Sequence, residues 1–118
     1  MLKFKLLLWI LTKLLQRAVR TKPACAIYVD GKNLVFQIQT TDGIGRHFTI
    51  QNGKVTSTAG LTQAPQFAMI FKDAASGYAV LSSKEGKDAF LTALHEELLV
   101  IKGDFVEVMW FQGLTEFL

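Results

Sequence analysis

The chain is poor in the residues that covalent catalysis, metal binding and cross-linking require. Among 118 residues one is cysteine and two are histidine. Cys25 has no partner for an intrachain disulfide and no CxxC or Cys/His companion for zinc; its neighbours Ala24, Ala26 and Ile27 are apolar. It reads as a buried thiol in a reducing, intracellular protein. His47 follows Arg46 on the polar side of an alternating run, and His95 stands in HEELL, where Glu96 and Glu97 are adjacent and cannot act as i, i+4 ligands. Ser82 and Ser83 have no Gly-x-Ser-x-Gly elbow. The lone Gly-x-Gly at 43–45 lies between two strand patterns and reads as a turn, not a phosphate cradle. Asp30, Asp42 and Asp73 sit at turns, where Asp serves the backbone. No enzyme, cofactor or metal is expected.

Acid is also missing from the start of the chain. The first 29 residues hold six of the 13 basic residues and none of the ten acids, so they carry +6 and the remainder −3. No long hydrophobic run accompanies this charge: in MLKFKLLLWILTKLLQRAVR the longest is Leu6 to Leu11, short of the ~20 residues of a membrane span. Lys13, Arg17 and Arg20 interrupt what a signal peptide would keep apolar, and Lys22-Pro23 precedes Ala24 where a small-residue cleavage site would stand.

What remains for residues 1–22 is an amphipathic basic helix. Phe4, Leu7, Leu8, Ile10, Leu11, Leu14, Leu15, Ala18 and Val19 share one side, while Lys5, Thr12, Lys13, Gln16, Arg17 and Arg20 gather opposite. Leu6 and Trp9 fall among the polar residues. Two readings stand: the apolar side packs on the protein's own core, or it meets an anionic membrane or a partner, with Lys3, Lys5, Leu6, Trp9, Lys13, Arg17 and Arg20 in the contact. Nucleic acid is not expected, because the basic side lacks interleaved aromatics.

From Ala24 the period becomes two. AIYVDGKNLVFQIQT holds two alternating runs about Asp30-Gly31, and GRHFTIQNGKVTSTAG holds two more about Asn52-Gly53, so four antiparallel strands are expected. Leu34, Phe36, Ile38, Phe48 and Ile50 mark the covered face. FAMIFKD after Pro65 is apolar on both faces and reads as an interior strand. Helices are expected from Ala74 through Ser82 and from Ser83 or Lys84 to Glu97, then a strand over LLVIKGD and a last helix capped by Asp104. The order gives an α+β fold: a mainly antiparallel sheet with helices on one side.

The last helix, in GDFVEVMWFQGLTEFL, has no polar side. Phe105, Val106, Met109, Trp110 and Phe117 fill one flank and Val108, Phe111 and Leu118 the other. Trp110, Leu114 and Phe117 need a cover: the first helix, a second subunit or a membrane.

The series FAMIFKD, helices, then FLTALHEELLVIKGDFVEVMWFQGLTEFL, with the hairpins FQIQTTDGIGRHFTIQNGKVTST before it, resembles the sterol carrier protein type 2 family over residues 24 to 118. The resemblance implies a five-stranded sheet and helices enclosing an apolar tunnel, in one domain of a basic helix (1–22) and a carrier-like part (23–118). It implies a non-enzymatic carrier of a lipophile: a fatty acyl chain, phospholipid, quinone or isoprenoid, or sterol. Positions on matched elements that would line the tunnel are Phe67, Met69, Phe71, Phe90, Leu94, Leu99, Ile101, Phe105, Val108, Met109 and Gln112. The end Glu116-Phe117-Leu118 is no peroxisomal signal, and the cationic first helix departs from the family's eukaryotic carriers. Both features look more like a small bacterial member, cytoplasmic or peripheral on the inner face of the membrane, related to accessory proteins of ubiquinone biosynthesis. An adaptor that uses its apolar terminal helices, Trp110 included, to form a homodimer or bind a partner protein is the alternative.

Overall fold

Helix α1 (Leu2–Thr21) inserts Phe4, Leu8, Leu11, Leu15 and Ala18 into the core. The structure, a computed structural model, describes residues 2–118. The covered arc of α1 is narrower than expected: Ile10 and Leu14 lie at its border and are exposed, whereas Thr12, expected among the polar residues, is buried. Hydrogen bonds explain the reversal. Thr12 Oγ1 donates to Leu8 O (2.9 Å) and shares a hydrogen bond with Ser57 Oγ (2.8 Å), while Gln16 Nε2 donates to Val55 O (2.8 Å). These contacts fix α1 over strand β3 (Lys54–Ala59).

The next segment corrects the expected first strand. Residues Pro23–Val29 form helix α2, with Pro23 at its first turn, where its fixed φ and missing N–H cost nothing. ACAIYV satisfies an i, i+4 pattern as well as alternation, and Cys25 and Val29 are its buried pair. Burial pushes the Cys25 thiol pKa up, with Lys22 opposing in part. Asp30-Gly31 does turn the chain, with Gly31 at φ 72°, but from helix into strand.

Strands β1 (Leu34–Thr40), β2 (Gly45–Gln51), β3, β4 (Phe67–Phe71) and β5 (Leu99–Gly103) form one sheet in the order β3-β2-β1-β4-β5. All pairings are antiparallel except β1 with β4. The register places Phe36 opposite both Phe48 and Phe67, and the three rings stack across the sheet with centroids 5.0 and 4.9 Å apart. This face also bears Leu34, Ile38, Ile50, Met69 and Phe71, all buried in the core that the helices cover. On the opposite face Gln37 is shielded by the loop before β4, whose Thr62 N–H it accepts at 3.0 Å.

Helix α3 (Ala74–Leu81) starts at Asp73, whose carboxylate accepts the Ser76 N–H at 2.7 Å; that bond holds the Asp73 pKa below its ordinary range. Helix α4 (Gly86–His95) is shorter than expected at both ends, since Lys84 and Glu85 belong to the turn before it and Glu97 takes φ 60° after it. Gly103, at φ 102°, leads into α5 (Phe105–Thr115), where Asp104 accepts the Val106 N–H at 3.0 Å.

Helices α1 and α3 meet at Gly77, where a Cβ would come within 2.5 Å of the Phe4 ring and 3.3 Å of Phe71. Alanine is the better helix former by about 1 kcal/mol, but overpacking here costs about 1–3 kcal/mol. Gly77→Ala is therefore expected to lower the melting temperature, and a raised melting temperature would contradict this packing.

Candidate functional site

Helix α5 rests on the sheet by one stripe, Val108, Phe111 and Leu114, all buried. Phe111 lies against Phe36 and Phe67, with centroids 4.7 and 6.2 Å away. A second side of α5 is clasped by α2. The Tyr28 hydroxyl donates to Trp110 O at 2.6 Å, its ring stacks on Trp110 at 5.0 Å and meets Phe117 edge-on at 5.5 Å. Lys32 pairs with Glu107 at 2.6 Å and lies 4.8 Å from the Trp110 ring centre, and Lys22 donates to Phe117 O. Burial, then the charge of Glu116, raises the Tyr28 pKa, which keeps the hydroxyl a donor. The cover of Trp110 is thus α2 of the same chain, not the first helix.

The third side of α5 borders a partly open cavity of about 570 Å³ lined also by α1, β4, α3 and α4. Its apolar wall includes Leu11, Met69, Val80, Phe90, Met109 and Phe111; Gln112 faces it from α5, and Ser83, Lys84, Lys87 and Glu116 supply polar and charged lining. The volume lies within the range of small-molecule sites, ~300–1,000 Å³. Four of the expected lining residues, Met69, Phe90, Met109 and Gln112, come together here. The others do not reach the cavity. Phe67, Phe71, Leu99 and Val108 are buried in the core, Leu94 and Ile101 pack at its border, and Phe105 is 48% exposed on α5. Alternation put Phe67, Met69 and Phe71 on one face correctly, but Phe111 covers Phe67 and Phe4 meets Phe71 at 6.4 Å, leaving Met69 between them. The wall also takes Leu11, Val80 and Phe111, which the family resemblance does not mark, although Leu11 and Phe111 stand in the apolar stripes of α1 and α5.

Outside the core, α1 keeps an apolar strip: Leu6 is 52% and Trp9 47% exposed, with Leu2 and Ile10 beside them. Lys13 lies 5.5 Å from the Trp9 ring centre. Lys3, Lys5, Lys13, Arg17 and Arg20 are all exposed, and none enters an ion pair among the described residues. A groove of about 300 Å³ lies between Lys3 and Phe4 on α1 and Ala74, Ala75 and Tyr78 on α3. Among the described residues no helix is long and apolar enough to cross a membrane.

No protein-family model matches this sequence, and no curated protein matches it. Solved structures do. "UbiJ-SCP2 Ubiquinone synthesis protein" superposes with a TM-score of 0.69 at 16% identity, covering 95% of each chain. The apo form of sterol carrier protein 2 from Yarrowia lipolytica follows the chain at a TM-score of 0.52 and 12% identity, over 92% of this chain and 88% of its own. The sec-alkylsulfatase Pisa1 from Pseudomonas sp. shares the fold in one part only: 75% of this chain matches 14% of that enzyme, with a TM-score of 0.54 and 16% identity. The α+β arrangement of this chain, a five-stranded sheet under helices, is the sterol carrier protein 2 fold.

Proposed function

We propose that the protein is a non-enzymatic carrier that takes the aliphatic part of a lipophile into the cavity beside α5 and exchanges it at an anionic membrane surface. The observation that carries this reading is the apolar wall of Leu11, Met69, Phe90, Met109 and Phe111 around a volume that core side chains leave unfilled. Each methylene moved from water to such a wall gains about 0.8 kcal/mol, so a long chain binds without a charged anchor. Met69 and Met109 are flexible enough to follow chains of different shape. The fold shared with a sterol carrier and with a ubiquinone synthesis protein supports a fatty acyl, phospholipid, isoprenoid or sterol ligand, and a supporting role beside the enzymes of quinone synthesis.

The outer face of α1 suits membrane contact. Leu2, Leu6, Trp9 and Ile10 enter the headgroup boundary, and the five exposed cations of α1 are attracted to anionic lipid by about 1 kcal/mol each near the surface. The exposed Phe105 and Val106 of α5, the latter 74% accessible, favour a second reading in which α5 docks on a partner or a second copy.

Native mass spectrometry of protein purified from cells is expected to show a bound lipid. Protein that is empty and takes up no fluorescent fatty acid or quinone analogue would refute the carrier reading and leave the adaptor. Met109→Glu should weaken uptake by about tenfold or more with little loss of stability, since Met109 is half exposed in the free protein but a bound chain would desolvate the new carboxylate.

Flotation with liposomes tests the α1 face. Wild-type protein should float with anionic but not with neutral vesicles, less so as salt rises, and the double variant Leu6→Gln, Trp9→Gln should stay behind. Equal flotation of both proteins would contradict a membrane role for this face.

A further inference from the structure

The sheet ends in two edge strands, β3 and β5, and they are finished differently. At β3 the first helix closes the edge: Gln16 Nε2 donates to Val55 O at 2.8 Å, and Thr12 shares a hydrogen bond with Ser57. At β5 nothing does. Lys72 N–H donates to Leu98 O (2.8 Å) and Asp104 N–H to Gln66 O (2.9 Å), so in the antiparallel register the alternate residues Leu98, Val100, Lys102 and Asp104 bond to β4. Leu99, Ile101 and Gly103 therefore turn their N–H and C=O groups outward, and among the described residues no other strand pairs with them. An open edge of this kind is a template for another strand.

The side chains say which strand fits. Charge is graded along β5: Glu96 and Glu97 precede it and Lys102 stands near its end, all three exposed and, among the described residues, in no ion pair. Val100, between them, is half exposed. Such a strand complements itself turned round, whereas a parallel copy would set like charges together. We propose that β5 is the interface for a second copy of this chain, pairing antiparallel with its counterpart across a two-fold axis to make one continuous sheet. With Val100 opposite Val100 of the second copy, Leu99 and Ile101 exchange backbone hydrogen bonds in both directions, the valines form a close non-hydrogen-bonded pair, and Lys102 comes beside the Glu96 and Glu97 of the other chain. Registers centred further along the strand bring the two Lys102 ammoniums towards each other. Pairing through one edge also ends the assembly, because α1 already covers β3. An edge of five residues is small beside the ~1,200–2,000 Å² of a stable complex, so the dimer is weak and depends on concentration. None of these residues lines the cavity, so the inference stands apart from the carrier reading.

Analytical ultracentrifugation of the full chain tests the proposal. The apparent mass is expected to rise from monomer towards dimer between about 5 and 500 μM. Ile101→Pro removes an outward N–H and leaves the bonds to β4 in place, while Val100→Lys sets like charges opposite each other. Both variants should stay monomeric at the highest concentration with an unchanged circular dichroism spectrum; should the proline variant fail to fold, Val100→Lys, altered at an exposed side chain, decides alone. Cross-linking reads the register. Val100→Cys should form a disulfide-linked dimer on oxidation, since Cα atoms opposed in such a pair lie about 4.5 Å apart, within reach of a disulfide. Thr58→Cys, exposed on the β3 edge, should not, and the native Cys25 is buried. A wild-type chain that stays monomeric over the whole range overturns the second copy and leaves the edge to a strand of another protein. A dimer that persists in the Val100→Lys variant, or equal cross-linking through Val100→Cys and Thr58→Cys, overturns the pairing through β5.

Discussion

The row of stacked rings Phe48, Phe36 and Phe67 is the contact on which the rest of the structure depends. It runs across three adjacent strands, β2, β1 and β4, and the last of these junctions is the parallel one. A one-residue slip of any strand would turn its phenylalanine to the other face and break the row, so the rings fix register as well as burying area. Aromatic pairs of this kind contribute about 0.5–1.5 kcal/mol beyond their area. Phe111 then settles on Phe36 and Phe67, and its position decides how high α5 stands above the sheet.

The cavity follows from that height and from an imbalance in how α5 is held. On the α2 side it has an ion pair, a stacked ring pair and a hydrogen bond to Trp110 O, and Lys22 donates to Phe117 O just past its end. Gly113 lets α2 come this close, because a Cβ there would collide with the Tyr28 hydroxyl. On the α3–α4 side it meets open volume instead. A helix clasped along one flank and unfilled along another leaves a space that can hold a chain without unfolding anything. The sheet, α2 and the cavity each take one apolar stripe of α5, and Phe105 and Val106 at its start stay exposed.

Local chemistry made much of this legible. The Asn52-Gly53 turn, the alternation through Phe36 and Phe48, the Asp104 cap and the apolar FAMIF strand all act within a few residues, and each sits as its sequence implies. Residues 24–29 did not, because ACAIYV fits either period and the deciding partner is distant: Tyr28 meets Trp110 across 82 residues. Thr12 failed for a similar reason, its hydroxyl being satisfied by Ser57 on another element. Cavity lining was the least legible, since a residue on the correct face, such as Phe67, is core or wall according to whether a third element covers it. Met69 is wall only because Phe111 and Phe4 cover its neighbours.

A carrier of the proposed kind needs an apolar wall and a route to the lipid source, and the reading assigns these to separate elements: the wall to α5 and the α3–α4 pair, the route to the outer face of α1. Helix α1 takes part in both, since Leu11 lines the cavity while Leu6 and Trp9 face outward. The central claim is that an aliphatic chain lodges between α5 and the α3–α4 pair. Methyl NMR with carbon-13-labelled hexadecanoic acid tests it most directly. The account predicts nuclear Overhauser contacts from the chain methylenes to the ε-methyl groups of both Met69 and Met109; contacts confined to Leu6 and Trp9, with the two methionines silent, would contradict it.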